Sequence, residues 1–114
     1  TGDIIVQKEI LYDWTDTGGT LYFKAQNAMV DLFIQTYPTL RTCKFPSISQ
    51  KGKKSSYHHS SELNQASHVH LEKTYKGREL LNLLRARTFS GYPGCWFEEN
   101  GSRYEISVNI KKVE

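Results

Sequence analysis

Residues 4–12 (IIVQKEILY) are rich in β-branched and apolar side chains, with an imperfect two-residue alternation. Ile4, Val6, Ile10 and Tyr12 share one face with Lys8, and Ile5 and Leu11 share the other with Gln7 and Glu9. This pattern predicts a strand at or near a sheet edge, because a central parallel strand would be apolar on both faces. The period then changes. Leu21, Ala25, Ala28, Met29, Leu32 and Phe33 recur at spacings of three and four, which predicts a helix from about Gly19 to Thr36 with one apolar face. Asp16 or Thr17, in the loop 13–19, is placed to cap it. Tyr37-Pro38 is expected to end it, since the residue before proline is driven out of helical geometry.

Residues 41–61 carry no clear period, apart from Lys44-Phe45-Pro46, which reads as a short extended piece. A second helix is expected from Thr74 or Gly77, with Leu80, Leu81, Leu83 and Leu84 as its apolar surface. Arg85 and Arg87 fall in its last turn, where cations complement the helix dipole. Gly91, Pro93 and Gly94 stop it. Residues 95–98 are then expected to pair with 103–110 across Asn100-Gly101, the dipeptide that best fits a two-residue hairpin turn. In the return strand Tyr104, Ile106, Val108 and Ile110 alternate with Glu105, Ser107 and Asn109, giving one wet face. The stretch 75–97 therefore reads as a structural joint. The chain divides into 1–49, a connecting loop 50–74, and a helix-hairpin part 75–114. The first part is too small to close a sheet and needs partner strands.

The chain has 114 residues, enough for one domain with a modest core. Its hydrophobic fraction is 38%, and its 12% aromatic content argues against disorder. The net charge of +3 is too small to imply nucleic-acid binding. Cys43 and Cys95 are distant and form no CxxC pair, so they read as reduced thiols of a cytoplasmic protein rather than a disulfide or zinc framework. No apolar run approaches the length of about 18 residues that a membrane span needs. The chain opens at Thr1 without an initiator methionine and enters a strand almost at once, which predicts that an upstream part lies outside this sequence.

Chemistry-bearing side chains are few. The segment 50–61 (QKGKKSSYHHSS) reads as a solvated basic loop, or as a phosphate contact through Lys51, Lys53 and Lys54. His68 and His70 share a strand-like spacing, but no Cys, Asp or Glu accompanies them at ligand spacing and HExxH is absent, so no metal is expected. His58 or His59 serves as a general base only if a carboxylate approaches in three dimensions. Trp96 reads either as a hairpin-face core residue or as a surface for stacking a ring.

Three stretches together resemble a known family. TGDIIVQKEI followed by DWTDTGGTLYFKAQNAMVDLF resembles the closing part of the formyltransferase catalytic domain. QKGKKSSYHHSSEL resembles the segment leaving that domain in the methionyl-tRNA and sugar-nucleotide branches. YKGRELLNLLRARTFSGYPGCWF resembles the helix, Arg-Ala and Pro-Gly joint that follows. The resemblance implies an α/β to α+β fragment: the last strand and helix of a Rossmann-like domain, then a helix and a C-terminal β-hairpin. It implies transfer of a formyl group from N10-formyltetrahydrofolate to an amine, through a tetrahedral oxyanion held by hydrogen-bond donors. The family's catalytic Asn and His match nothing here, and its Asp falls one residue before Thr1. Asp3 is not that residue. No catalytic residue is therefore expected in this chain, which alone should be inactive. The substrate-side candidates are Lys51, Lys53, Lys54, His58, His59 and Trp96.

A nucleotide-linked amino sugar is favoured as acceptor, since the longer basic barrel of the methionyl-tRNA branch, which contacts tRNA, is not seen. The expected partners are the N-terminal portion of the same protein and a second copy in a homodimer. A methionyl-tRNA formyltransferase-like protein, with tRNA as partner, is the alternative within the family, and two further readings stand beside it. The first is a non-catalytic binding or dimerisation module derived from the family. The second is a small RNA-binding module using Lys51, Lys53, Lys54, Tyr57 and Trp96, which would show steep salt dependence.

Overall fold

The computed structural model describes residues 2–114, folded as three helices and one antiparallel hairpin. In order these are α1 (Gly18–Leu40), α2 (Glu62–Ala66), α3 (Gly77–Ala86), β1 (Cys95–Glu99) and β2 (Ser102–Ile106). The chain divides into two compact units. One contains the chain up to Leu11 with Phe23–Tyr57; the other contains Tyr12–Tyr22 with His58–Glu114.

In the first unit the strand expected over 4–12 does not form. Only an isolated antiparallel bridge joins Ile4 to Ile48, with N–H···O distances of 2.8 Å in both directions. The side-chain pattern suits a strand, but a ladder needs a neighbour, and this chain supplies one residue of it. α1 also runs past its expected end and carries Pro38 inside its last turn. Proline there removes one amide, yet Arg41 N–H still donates to Tyr37 C=O at 2.9 Å, so the turn closes around it. Met29, Leu32 and Phe33 face Ile4 and Val6 across an open apolar groove of about 590 Å³. Val30 and Ile34 lie outside that lining and are also exposed. A helix apolar on more than one face has more surface to bury than its own unit covers.

In the second unit, the start of α1 is held by a reciprocal cap. Thr20 N–H donates to Thr17 Oγ1 at 3.3 Å and Thr17 N–H donates to Thr20 Oγ1 at 2.8 Å. This is a capping box with threonine in the place usually held by Glu or Gln. Asp16 is buried and accepts from Thr20 Oγ1 and from Asp13 N–H, so Thr17 caps while Asp16 organises the loop. α3 falls where its leucines place it. The one-turn α2 lies within the segment read as a connecting loop, and it was not anticipated.

The hairpin has the expected turn. Asn100 and Gly101 take φ of 49° and 77°, the left-handed pair that a two-residue turn demands, and Glu99 pairs with Ser102 to close it. Pairing ends at Cys95–Ile106, so the return strand stops four residues earlier than expected. Beyond Ile106 there is no opposing strand among the described residues, and Gly94 N–H donates to the Glu105 side chain at 3.1 Å instead of extending the ladder. Val108 N–H bonds instead to Thr88 Oγ1 at 3.1 Å. The register places Cys95, Phe97, Tyr104 and Ile106 on one face, and Trp96, Glu98, Arg103 and Glu105 on the other. Cys95, Ser67 and Val69 are buried, with the Cys95 thiol against Leu83 C=O of α3 and Ser67 and Val69 bonded to the Trp96 backbone.

Candidate functional site

The densest group of polar and aromatic side chains lies on the second, wetter face of the hairpin. Val69 N–H donates to Trp96 C=O at 2.8 Å and Trp96 N–H donates to Ser67 C=O at 3.0 Å, so the segment after α2 runs alongside β1. This puts the His68 ring parallel to the Trp96 indole, 3.9 Å from it, while the Arg103 guanidinium carbon lies 3.5 Å from the same indole centre. Two groups that close to one ring must occupy opposite faces. His70 leans on His68 with ring centres 4.0 Å apart, completing a column Arg103–Trp96–His68–His70.

Asn64, in the middle of α2, fixes two neighbouring members of this column. Its carbonyl accepts from Trp96 Nε1 at 2.9 Å and its Oδ1 accepts from Arg103 Nη2 at 2.8 Å. Asn64, Trp96, Arg103 and Glu105 line a cleft of about 350 Å³. The column is a holding device: it contains no nucleophile, and neither indole face is open to a further ring.

Below it, Arg87 ties the joint together. Its Nε donates to the buried Ser67 Oγ at 2.7 Å and its Nη2 donates to Pro93 C=O at 3.0 Å. Cys95 lies alongside, with its thiol 3.5 Å from Leu83 C=O. Burial pushes this thiol up, and the nearby Arg87 charge opposes the rise. Cys95 therefore stays protonated at neutral pH and is a packing residue, not a nucleophile. Both cysteines are free thiols, and Cys43 is exposed.

The sequence-derived candidates are distributed as follows. Lys51, Lys53 and Lys54 are exposed and belong to the first unit, around a turn in which Lys51 N–H donates to Ser49 Oγ at 3.2 Å. His58 and His59 belong to the second unit. His58 has the carboxylate it required, since Nδ1 lies 2.9 Å from Glu62 Oε2 one helical turn on, but the pair is largely exposed. Such pairs contribute only about 0.3–0.5 kcal/mol. Among the described residues no three His, Cys, Asp or Glu side chains gather as metal ligands, and no helix is long and apolar enough to cross a membrane.

Sequence reasoning missed Arg103, Asn64 and His68 as a unit, because their contact depends on α2 and on pairing beside β1. It also missed Trp14 with Arg78 and Arg85. The available signal there was the spacing Arg78–Asn82–Arg85, at i, i+4 and i+7, which puts a polar stripe along one side of α3.

Residues 62–112 match the family model of the N-formyltransferase dimerization C-terminal domain. Among solved structures, the chain is similar to a 4-N formyltransferase from Francisella tularensis, with 26% identity and a TM-score of 0.86 over 98% of this chain and 46% of that one. It is also similar to a sugar N-formyltransferase from a Shewanella species, with 22% identity and a TM-score of 0.84 over 99% of this chain and 46% of that one. The chain thus spans about half the length of the structures it matches. Among curated protein sequences there is no match.

Proposed function

We propose that the chain is the C-terminal part of a sugar N-formyltransferase, since residues 62–112 match the family model of the N-formyltransferase dimerization C-terminal domain. The whole enzyme would move a formyl group from N10-formyltetrahydrofolate to the amine of a nucleotide-linked amino sugar in the cytoplasm. The observation that carries this reading is the family match combined with the likeness to the 4-N formyltransferase over nearly the whole chain.

The chain's own part is assembly and support. β2 has no strand beyond it among the described residues, and Tyr104 on it is exposed. An open edge of that kind is suited to a second copy. Lys51, Lys53 and Lys54 are assigned as anion contacts, and His58, held by Glu62, and His59 as substrate-side polar groups. Trp96 is the surface on which Arg103 is held beside the cleft. No residue of this chain is assigned to the formyl-transfer step or to the folate.

The test is to express the complete reading frame containing this chain and supply N10-formyltetrahydrofolate with a TDP-linked 4-amino sugar. The expected result is release of tetrahydrofolate by the full protein and none by residues 1–114 alone. A full-length protein that releases no tetrahydrofolate with any nucleotide-linked amino sugar would overturn the reading.

A further inference from the structure

Away from the Trp96 column, the second unit carries a cationic aromatic cluster that nothing above employs. α3 presents Arg78, Asn82 and Arg85 along one side, and the loop before α1 brings Tyr12, Asp13 and Trp14 against them. The Arg85 guanidinium lies 4.4 Å from the Trp14 ring centre and 5.9 Å from that of Tyr12, and Arg78 lies 5.2 Å from Trp14.

Arg85 is fixed in place. Its Nε donates to Asn82 Oδ1 at 3.1 Å and its Nη1 donates to the Asp13 carbonyl at 2.8 Å, which leaves Nη2 unspent. Arg78 makes no hydrogen bond or salt bridge among the described residues, so its whole fork is available. Together these groups line a hollow of about 300 Å³. A second hollow of about 290 Å³ is lined by Trp14 together with Ile110, Lys111 and Lys112. These two lysines also have no carboxylate within salt-bridge reach among the described residues.

Four cations therefore line two hollows that share Trp14, and Asp13 is the carboxylate residue in those linings. Asp13 Oδ1 is already engaged by the amide and hydroxyl of Thr15 at 2.8 and 2.5 Å. Uncompensated cations in concave surface raise the local concentration of anions. Arginine forks match phosphate oxygens in pairs, and the half-exposed Trp14 and more exposed Tyr12 offer rings at the same place.

We propose that the hollow between Trp14 and the Arg78–Asn82–Arg85 side of α3 is a binding site for a nucleoside diphosphate, with the diphosphate on the two arginines and the base against Tyr12 and Trp14. The proposal rests on the reading that the acceptor is nucleotide-linked, and it names where the nucleotide is gripped. Lys111 and Lys112 add long-range attraction.

Calorimetric titration of the chain with TDP tests it. TDP should bind, more weakly as salt is raised, and both thymidine and inorganic pyrophosphate should bind about tenfold more weakly than TDP. Arg78→Gln should lower TDP affinity about tenfold. Because Arg78 has no hydrogen-bond partner among the described residues, that variant should keep the circular dichroism spectrum of the parent. Trp14→Ala should lower affinity for TDP but not for pyrophosphate. The triple variant Lys51→Gln, Lys53→Gln, Lys54→Gln should bind TDP as the parent does.

Absent TDP binding, unchanged affinity in Arg78→Gln, or loss of affinity in the lysine variant instead would each overturn the proposal. So would equal affinity for pyrophosphate and TDP, which would make the hollow a general anion site. If the full enzyme still formylates a nucleotide-linked sugar in such a case, this site alone is wrong. If it formylates a sugar without a nucleotide, the functional reading falls while TDP binding here stands or falls on its own titration.

Discussion

Gly18→Ala is expected to destabilise the second unit by about 3 kcal/mol, while the same change one residue on, Gly19→Ala, should be close to neutral. A Cβ on Gly18 would fall inside the carbonyl oxygen of Ala86 and within 3.2 Å of its carbon, at the last residue of α3. Both obstacles are backbone, and no rotamer change relieves them. A Cβ on Gly19 would meet Phe89 Cα and Thr88 O at 3.6 Å, an ordinary contact. There the alanine's better helix propensity offsets what little crowding remains. Urea unfolding of the two variants reads the difference directly. The effect should appear in the midpoint, with the slope against urea unchanged. Equal stabilities would mean that α1 does not start against the end of α3 as described.

Arg87→Ala should cost about 2–3 kcal/mol, for a different reason. The guanidinium spans from the buried Ser67 hydroxyl to the Pro93 carbonyl, joining the turn after α2 to the loop before β1. Removing it leaves Pro93 C=O without that donor and takes a charge-assisted bond from Ser67 Oγ. The hydroxyl still donates to Leu63 C=O at 2.5 Å, which limits the loss. Arg87→Lys should recover only part of the stability, because an ammonium cannot reach both acceptors in the planar geometry of the fork. The mutation also removes the charge that restrains the Cys95 thiol, so Cys95 should become still less reactive towards alkylating reagents. If Arg87→Ala melts with the parent, the joint is held by the leucines of α3 and not by this arginine.

What the sequence made legible was local. The leucine spacing places α3, Asn100-Gly101 places the hairpin turn, and Asp16 or Thr17 is the expected cap, of which the structure uses Thr17. The errors came where a local pattern depended on something distant. Residues 4–12 have strand chemistry but only Ile48 as a partner, so a bridge replaces the strand. Tyr37-Pro38 is expected to end α1, yet the helix closes one further turn around it. The return strand was expected to reach Ile110 on the strength of its alternation, while the partner strand begins only at Cys95.

The candidate site was less legible still. The alternation marks Trp96 and its face of the hairpin, but it carries no sign that His68 and Arg103 take both sides of its ring. Arg85 was read as a dipole partner because its contacts with Asp13 and Trp14 lie far away in sequence. Side chains whose roles depend on contacts across 30 or more residues leave no period to detect, and both clusters are of that kind.

The central claim is that this chain carries the dimerization domain of an N-formyltransferase, and sedimentation equilibrium of the chain across a wide concentration range tests it most directly. The predicted result is a species of twice the 13.2 kDa chain mass that dissociates only on dilution. A chain that sediments at 13.2 kDa at every concentration, with its circular dichroism intact, would contradict the claim.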